Sequence, residues 1–207
     1  MKFTNWKSGE PNHLKGENCV DVDKEGFWND KDCNTETYFV CEHFHKSEIK
    51  LENPVLKQDQ VVGTLPVIGP TFVVKLKLTV NSLPLAPLAN IFHVTKGTNS
   101  DSGSRYPALW LTNEGALHFE SERNGKFNAS NDFLDLELKK LHEIQMTQSP
   151  KDGKMVFEIV IDGKIIVSEE NADPITFEEA KIYLSDPWYP SAPVELKNFF
   201  ISTIEMQ

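Results

Sequence analysis

Beyond about residue 55, apolar and polar positions alternate with a period of two. Val74, Leu76, Leu78 and Val80 interleave with Lys75, Lys77 and Thr79, the spacing of a strand with one buried and one wet face. Met155, Phe157, Ile159 and Ile161 repeat the signal. Asp162-Gly163 separates that run from Ile165-Ile166-Val167, and a two-residue Asp-Gly link predicts a hairpin because both turn positions favour positive φ. Short apolar runs at 90–94, 108–112, 116–120, 141–148, 180–185 and 194–204 bring the expected strands to about ten, with few helix signals. Residues 131–142 fit two patterns. Leu134, Leu136 and Leu138 alternate as in a strand, while Leu134, Leu138 and Leu141 behind an Asn131 cap suit a helix; the neighbouring strands favour the first. Residues 55–207 therefore read as an antiparallel β-sandwich.

Before residue 46 the pattern is different. Trp, Asn, Asp, Gly and Cys dominate, and short apolar pieces are broken by turn residues, which predicts a loop-rich unit stapled by sulfur. The expected organisation is a first unit at 1–45, a connector at 46–54 and the sandwich at 55–207. No internal repeat or low-complexity tract interrupts either part.

Composition narrows the partners. With 207 residues and 39% hydrophobic content there is room for a sizeable core. A net charge of -10 argues against phosphate backbones and anionic lipid faces, which attract clustered Lys and Arg. Nucleic acid is not an expected partner. Every apolar stretch is broken well before the roughly 18 residues of a membrane span, and Met1-Lys2-Phe3 opens no apolar signal core. All three cysteines fall between positions 19 and 41, and Asn128-Ala129-Ser130 is an acceptor pattern for N-glycosylation at Asn128; both point to secretion.

The informative chemistry is near the front. Glu10-Pro11-Asn12, Glu17 and Asn29-Asp30 collect three carboxylates and two carboxamides, interleaved with Gly9, Gly16 and Gly26. Calcium takes about six to eight oxygen ligands of this type in flexible geometry. Without His or thiolate in the set, zinc and copper are poor fits. By composition alone, ordinary turn formation is the commoner explanation of such loop Asp and Asn residues.

Spacing adds a resemblance. Phe3-Thr4-Asn5-Trp6, Gly9-Glu10-Pro11-Asn12, Glu17-Asn18-Cys19-Val20, Trp28-Asn29-Asp30, Asp32-Cys33-Asn34 and Tyr38-Phe39-Val40-Cys41-Glu42 follow one another as in the C-terminal half of a C-type lectin domain. The resemblance implies that Glu10, Asn12, Glu17, Asn29 and Asp30 ligate Ca2+, that the Glu10-Pro11 bond is cis, and that Cys19 pairs with Cys33. It also implies sugar binding through Glu10, Asn12, Glu17 and Asn29, with Glu-Pro-Asn selecting mannose, fucose and N-acetylglucosamine rather than galactose. Two vicinal hydroxyls would complete the calcium shell, binding would be lost in acid, and weak single sites would call for clustering into oligomers.

The family's first half, with two helices and the partner of the last cysteine, has no counterpart in these residues, so Cys41 is left over. The expectation is a fragment whose signal peptide lies elsewhere, or else a degenerate remnant. The fold class expected is mainly β, a partial C-type lectin (α+β) fold plus a jelly roll: Ile182 to Pro190 followed by Leu196 to Ile201 resembles a concanavalin A-like or laminin G-like module. Trp188 within Asp186-Pro187-Trp188-Tyr189-Pro190 either stacks on a sugar or is packed. Asp101, Asp132, Asp152 and Asp173 read as solvated turn acids or a further calcium site. The six histidines form no zinc spacing, and no nucleophile elbow or phosphate loop occurs, so no enzyme is expected. The competing reading is an extracellular adhesion or matrix protein, with a silent lectin module and a sandwich that binds protein or glycan.

Overall fold

The computed structural model describes residues 4–14, 16–36, 45–134 and 136–205. The chain forms two compact units, residues 1–41 and 42–207. Among the described residues there is no helix, and hence none long and apolar enough to cross a membrane.

In the first unit, β1 (Cys19–Val22) and β2 (Trp28–Lys31) pair antiparallel, with Val22 opposite Trp28. Asp23 ties the turn between them. Its carboxylate accepts the N–H groups of Glu25 and Phe27 at 3.0 Å each, the local bond for which Asp is favoured in turns. Lys7 Nζ reaches the other carboxylate oxygen at 3.1 Å. The preceding segment runs along β2: Trp28 donates to the Asn5 carbonyl, Lys7 to the Trp28 carbonyl, both at 2.8 Å, and the Trp6 and Trp28 rings meet edge to face at 5.7 Å. Cys19 and Cys33 are disulfide-bonded, a closure that contributes on the order of 3 kcal/mol through the unfolded chain. The unpaired state expected of Cys41, and the Tyr38–Glu42 stretch around it, lie outside the described residues.

The second unit contains β3 (His45–Leu51), β4 (Val61–Ile68), β5 (Thr71–Val80), β6 (Leu88–Thr95), β7 (Ala108–Thr112), β8 (Leu117–Glu120), β9 (Ser130–Phe133), β10 (Leu141–Lys151), β11 (Lys154–Ile161), β12 (Lys164–Glu170), β13 (Phe177–Tyr183) and β14 (Val194–Glu205). One sheet runs β12-β11-β10-β5-β14-β3 and the other β4-β13-β6-β7-β8-β9, all pairings antiparallel. Alternate residues of β5, Phe72 through Val80, are buried as their period requires. They share one core with Ile144, Met146, Phe157 and Ile159 of their own sheet and Phe92, Leu109, Phe119 and Ile182 of the other. Across the layers Phe92 meets Phe199 at 5.7 Å and Phe72 meets Tyr106 at 5.1 Å.

The Asp162-Gly163 hairpin forms as expected, with φ of 50° and 78°. Asp152-Gly153 makes the same turn between β10 and β11, with φ of 52° and 78°. Two expectations need correction. The segment 46–54 is not a free connector, since most of β3 falls within it and pairs along β14, so the sandwich starts at His45. Its inward alternation consists only of Ile49 and Leu51, too short a signal to stand out among charged neighbours. Residues 131–142 are neither one strand nor a helix: β9 ends at Phe133, a loop turns through Lys139 at φ 60°, and β10 begins at Leu141. Leu134, Leu138 and Leu141 are exposed there, and Phe133 and Leu136 pack on the core.

Candidate functional site

In the first unit, the loop 10–14 and strand β2 place the acidic residues. The Glu10-Pro11 bond is cis. Asn12 N–H is shared between Glu10 Oε2 and Asp30 Oδ1, each at 3.1 Å, and His13 N–H donates to Asp30 Oδ2 at 2.8 Å. Asn12 Oδ1 accepts from Leu14 N–H at 3.0 Å, which turns the loop back on itself. Asp30 is buried at 4% exposure. Burial pushes its carboxyl upward, but the N–H groups of His13 and Asn12 and the contact with Glu10 outweigh this and hold it below the usual carboxylate range.

Asn29, on the same strand, donates through Nδ2 to the Asp30 carbonyl at 2.9 Å. Glu17 lies just before β1, and its Oε2 is buried with no hydrogen-bond partner, although a buried acceptor left unmet is costly. The fold thus brings Glu10, Asn12 and Asp30 together, with Asn29 beside them. Among the described residues no three His, Cys, Asp or Glu side chains converge closely enough to hold a metal ion. The donor chemistry nevertheless suits a hard cation. Every candidate donor is oxygen, two carboxylates crowd one N–H, and a third has an orphaned oxygen.

In the second unit, polar and aromatic residues collect on the outer face of the β6-β7-β8 region. Asp186 is fully buried; Oδ1 accepts from Trp188 and Tyr189 N–H at 3.0 and 2.8 Å, and Oδ2 meets His93 Nδ1 at 2.7 Å. The other His93 nitrogen meets the Ser104 carbonyl at 2.5 Å. Trp188 contacts the rings of His93 and Tyr183, yet 38% of it stays exposed. Asp186 is therefore the organiser of this turn, a role its sequence context did not reveal. His118 bridges Asp132 at 2.6 Å and Glu120 at 2.9 Å, and Glu120 also pairs with Arg105. Asp132 is thus a histidine partner rather than a free turn acid. Asp101 lies 3.7 Å from Lys96.

A third constellation was not foreseen. Arg123 and Lys126 flank Asn124-Gly125, which turns with φ of 52° and 72°, and the two flanking residues exchange backbone hydrogen bonds of 3.0 and 2.9 Å. A two-residue Asn-Gly link between cations is legible in the sequence as a hairpin turn, but nothing in the sequence shows that Arg123 becomes buried.

The Lectin C-type domain family matches residues 1–43. Collectin-10 of Xenopus tropicalis is 47% identical over 47 residues, 22% of this chain and 17% of that protein. Mannose-binding protein of Gallus gallus is 44% identical over 43 residues, 20% and 17% of the two chains. Phospholipase A2 inhibitor A4/A5 of Crotalus durissus terrificus is 45% identical over 42 residues, 20% and 25%. This chain therefore spans well under two thirds of these relatives. Among solved structures, the CBM40 of Ruminococcus gnavus IT-sialidase aligns at TM-score 0.46 and 12% identity over 77% of this chain and 92% of that one. The Caenorhabditis elegans galectin LEC-6 aligns at TM-score 0.41 and 16% identity, covering 75% and 95%. At such scores the likeness carries no function.

Proposed function

We propose that this protein binds carbohydrate through its first unit, dependent on calcium and selective for mannose, fucose or N-acetylglucosamine. The observation that supports this best is the crowding of the Glu10 and Asp30 carboxylates onto one N–H while Glu17 keeps a buried oxygen without a partner. A cation between Glu10 and Asp30 would relieve the crowding, and a buried oxygen such as that of Glu17 is a donor of the kind calcium takes. The similarity of residues 1–43 to the Lectin C-type domain, and to a mannose-binding protein, points the same way. Secretion fits the Cys19–Cys33 bond, which persists in oxidising compartments.

Glu10, Asn12, Glu17, Asn29 and Asp30 would hold Ca2+, which when bound supplies attraction for the oxygens of two vicinal hydroxyls. The side chains do the rest. Glu10 and Glu17 accept hydrogen bonds from those hydroxyls, and the amides of Asn12 and Asn29 donate to them. Recognition needs hydroxyls in a fixed relative orientation and changes no bond, so the function is binding and not catalysis. Such shallow sites gain from multivalent presentation, which makes oligomers the working form on a glycan-covered surface.

The test is retention of the disulfide-intact chain on mannose resin in calcium and its release by chelator. Glu10→Gln and Glu17→Gln should each weaken retention about tenfold or more, with unchanged far-UV circular dichroism. Because no three His, Cys, Asp or Glu side chains converge closely enough to hold an ion among the described residues, the second reading is an adhesion protein with a silent site. Absence of retention with and without calcium would favour it.

A further inference from the structure

Arg123 of the second unit is a cation in an unusual state. Its side chain is only 3% exposed, with Nε 2.6 Å from Glu169 Oε1 and Nη2 donating to Asn131 Oδ1 at 2.7 Å. The guanidinium lies over the Phe157 ring, 4.1 Å from its centroid. Nη1 is buried with no partner at all. A guanidinium presents five donors in a rigid fork suited to carboxylate, sulfate or phosphate oxygens, and leaving such donors unmet in the interior is costly.

The residue also walls a polar cavity of about 390 Å³, together with Lys126, Asn128, Ser130, Asn131 and Glu169. These groups supply charge, amide donors and acceptors, and a hydroxyl. The frame is rigid. The Asn124-Gly125 turn fixes Arg123 against Lys126, and Asn124 is bolted to the end of β12 through its N–H to Asn171 Oδ1 at 2.9 Å and its Nδ2 to the Glu170 carbonyl at 3.0 Å. In a chain of net charge -10, a pocket with two cations against one carboxylate is locally opposite in sign.

We propose that this cavity binds an acidic saccharide, its carboxylate or sulfate group on Arg123 and Lys126 and its hydroxyls on Asn128, Ser130 and Asn131. Burial disfavours the charge on Arg123 and pushes its pKa down, Glu169 opposing; a bound oxyanion would restore the balance. Glu169, 42% exposed, competes with the ligand for the same guanidinium. The site is independent of the calcium site proposed above and needs no metal.

The experiment is isothermal titration of the whole chain, produced without N-glycosylation and kept in chelator, with glucuronate, a sulfated monosaccharide, their neutral parent sugars and inorganic sulfate. The acidic sugars should bind at least about tenfold more tightly than the neutral parents. Lys126→Glu and Asn131→Asp, the latter placing a competing carboxylate on Nη2, should each reduce that affinity about tenfold. Both should leave the melting temperature of the sandwich within experimental error or higher. Glu169→Gln removes the competitor and should strengthen binding several-fold, a gain that misfolding could not produce. Equal affinity for acidic and neutral sugars, loss of binding in chelator, or insensitivity to all three variants would overturn the proposal. Inorganic sulfate matching the sulfated sugar would overturn the saccharide assignment.

Discussion

At the residue scale, single acidic side chains decide how loops close. Asp23 accepts the N–H groups of Phe27 and Glu25 and pairs with Lys7, and these bonds, led by that from Phe27, hold its carboxyl below its ordinary 3.8. A lowered carboxylate stabilises the fold fully above the unfolded pKa and loses that effect as pH falls through the folded value. The first unit should therefore lose melting temperature on acidification below about pH 4, and Asp23→Asn should lower it at neutral pH and flatten that acid limb, as read by tryptophan fluorescence from Trp6 and Trp28. His118 behaves oppositely. The bond to Glu120 raises its pKa above 6.5, burial lowers it less, and Asp132 raises it further. Its stabilisation is complete below pH 6.5 and is lost as pH rises through the folded value. An NMR titration should find the His118 ring still protonated when free imidazole is not, and His118→Gln should remove the matching decline in sandwich stability. Glu10, Asn12, Glu17, Asn29 and Asp30 stand out in the sequence through their spacing, and the cis Glu10-Pro11 bond expected with it is present; that Asp186 and Arg123 are buried does not stand out, since each acquires its environment from residues distant in the chain.

At the scale of elements, the Asp162-Gly163 turn was read in advance, while two turns of the same chemistry, at 152–153 and 124–125, and the edge strand β3 were not. Asp-Gly and Asn-Gly links form hairpins because both residues tolerate positive φ at little cost, and φ is positive at 162–163, 152–153 and 124–125. Gly163→Ala should cost about 1 kcal/mol at φ 78°, visible as a lower urea midpoint. Strand β3 escaped notice for a different reason. Its place is set by β14, with which it is hydrogen-bonded, and by Gly63 of β4, where an added Cβ would collide with Ile49 Cδ1. No property of Gly63 itself announces this. Gly63→Ala should force Ile49 aside and destabilise the sandwich by roughly 1–3 kcal/mol, whereas Gly63→Ala with Ile49→Ala should recover part of the loss in a double-mutant cycle.

For the whole molecule, the two units rest on different physics. Among its described residues the first has a disulfide, one short hairpin and several exposed apolar side chains, among them Val20, Val22 and Phe27; the second has a continuous core and, beyond residue 41, no cysteine. Differential scanning calorimetry should resolve two transitions, of which only that of the first unit falls when Cys19–Cys33 is reduced. Coincident transitions that shift together would argue against separate stability. What the sequence by itself determined was whatever depends on neighbours along the chain: the period of the strands, the turn chemistry, the two-part composition, and the order of acids, amides and cysteines in the first unit. What only the tertiary structure decided was whatever depends on closure between distant segments. It set the start of the sandwich at His45, broke residues 131–142 into strand, loop and strand, drew the Glu10 and Asp30 carboxylates onto one amide, and left Arg123 buried with donors unmet. Burial and hydrogen-bond satisfaction are properties of packing across the chain, and a local pattern does not encode them.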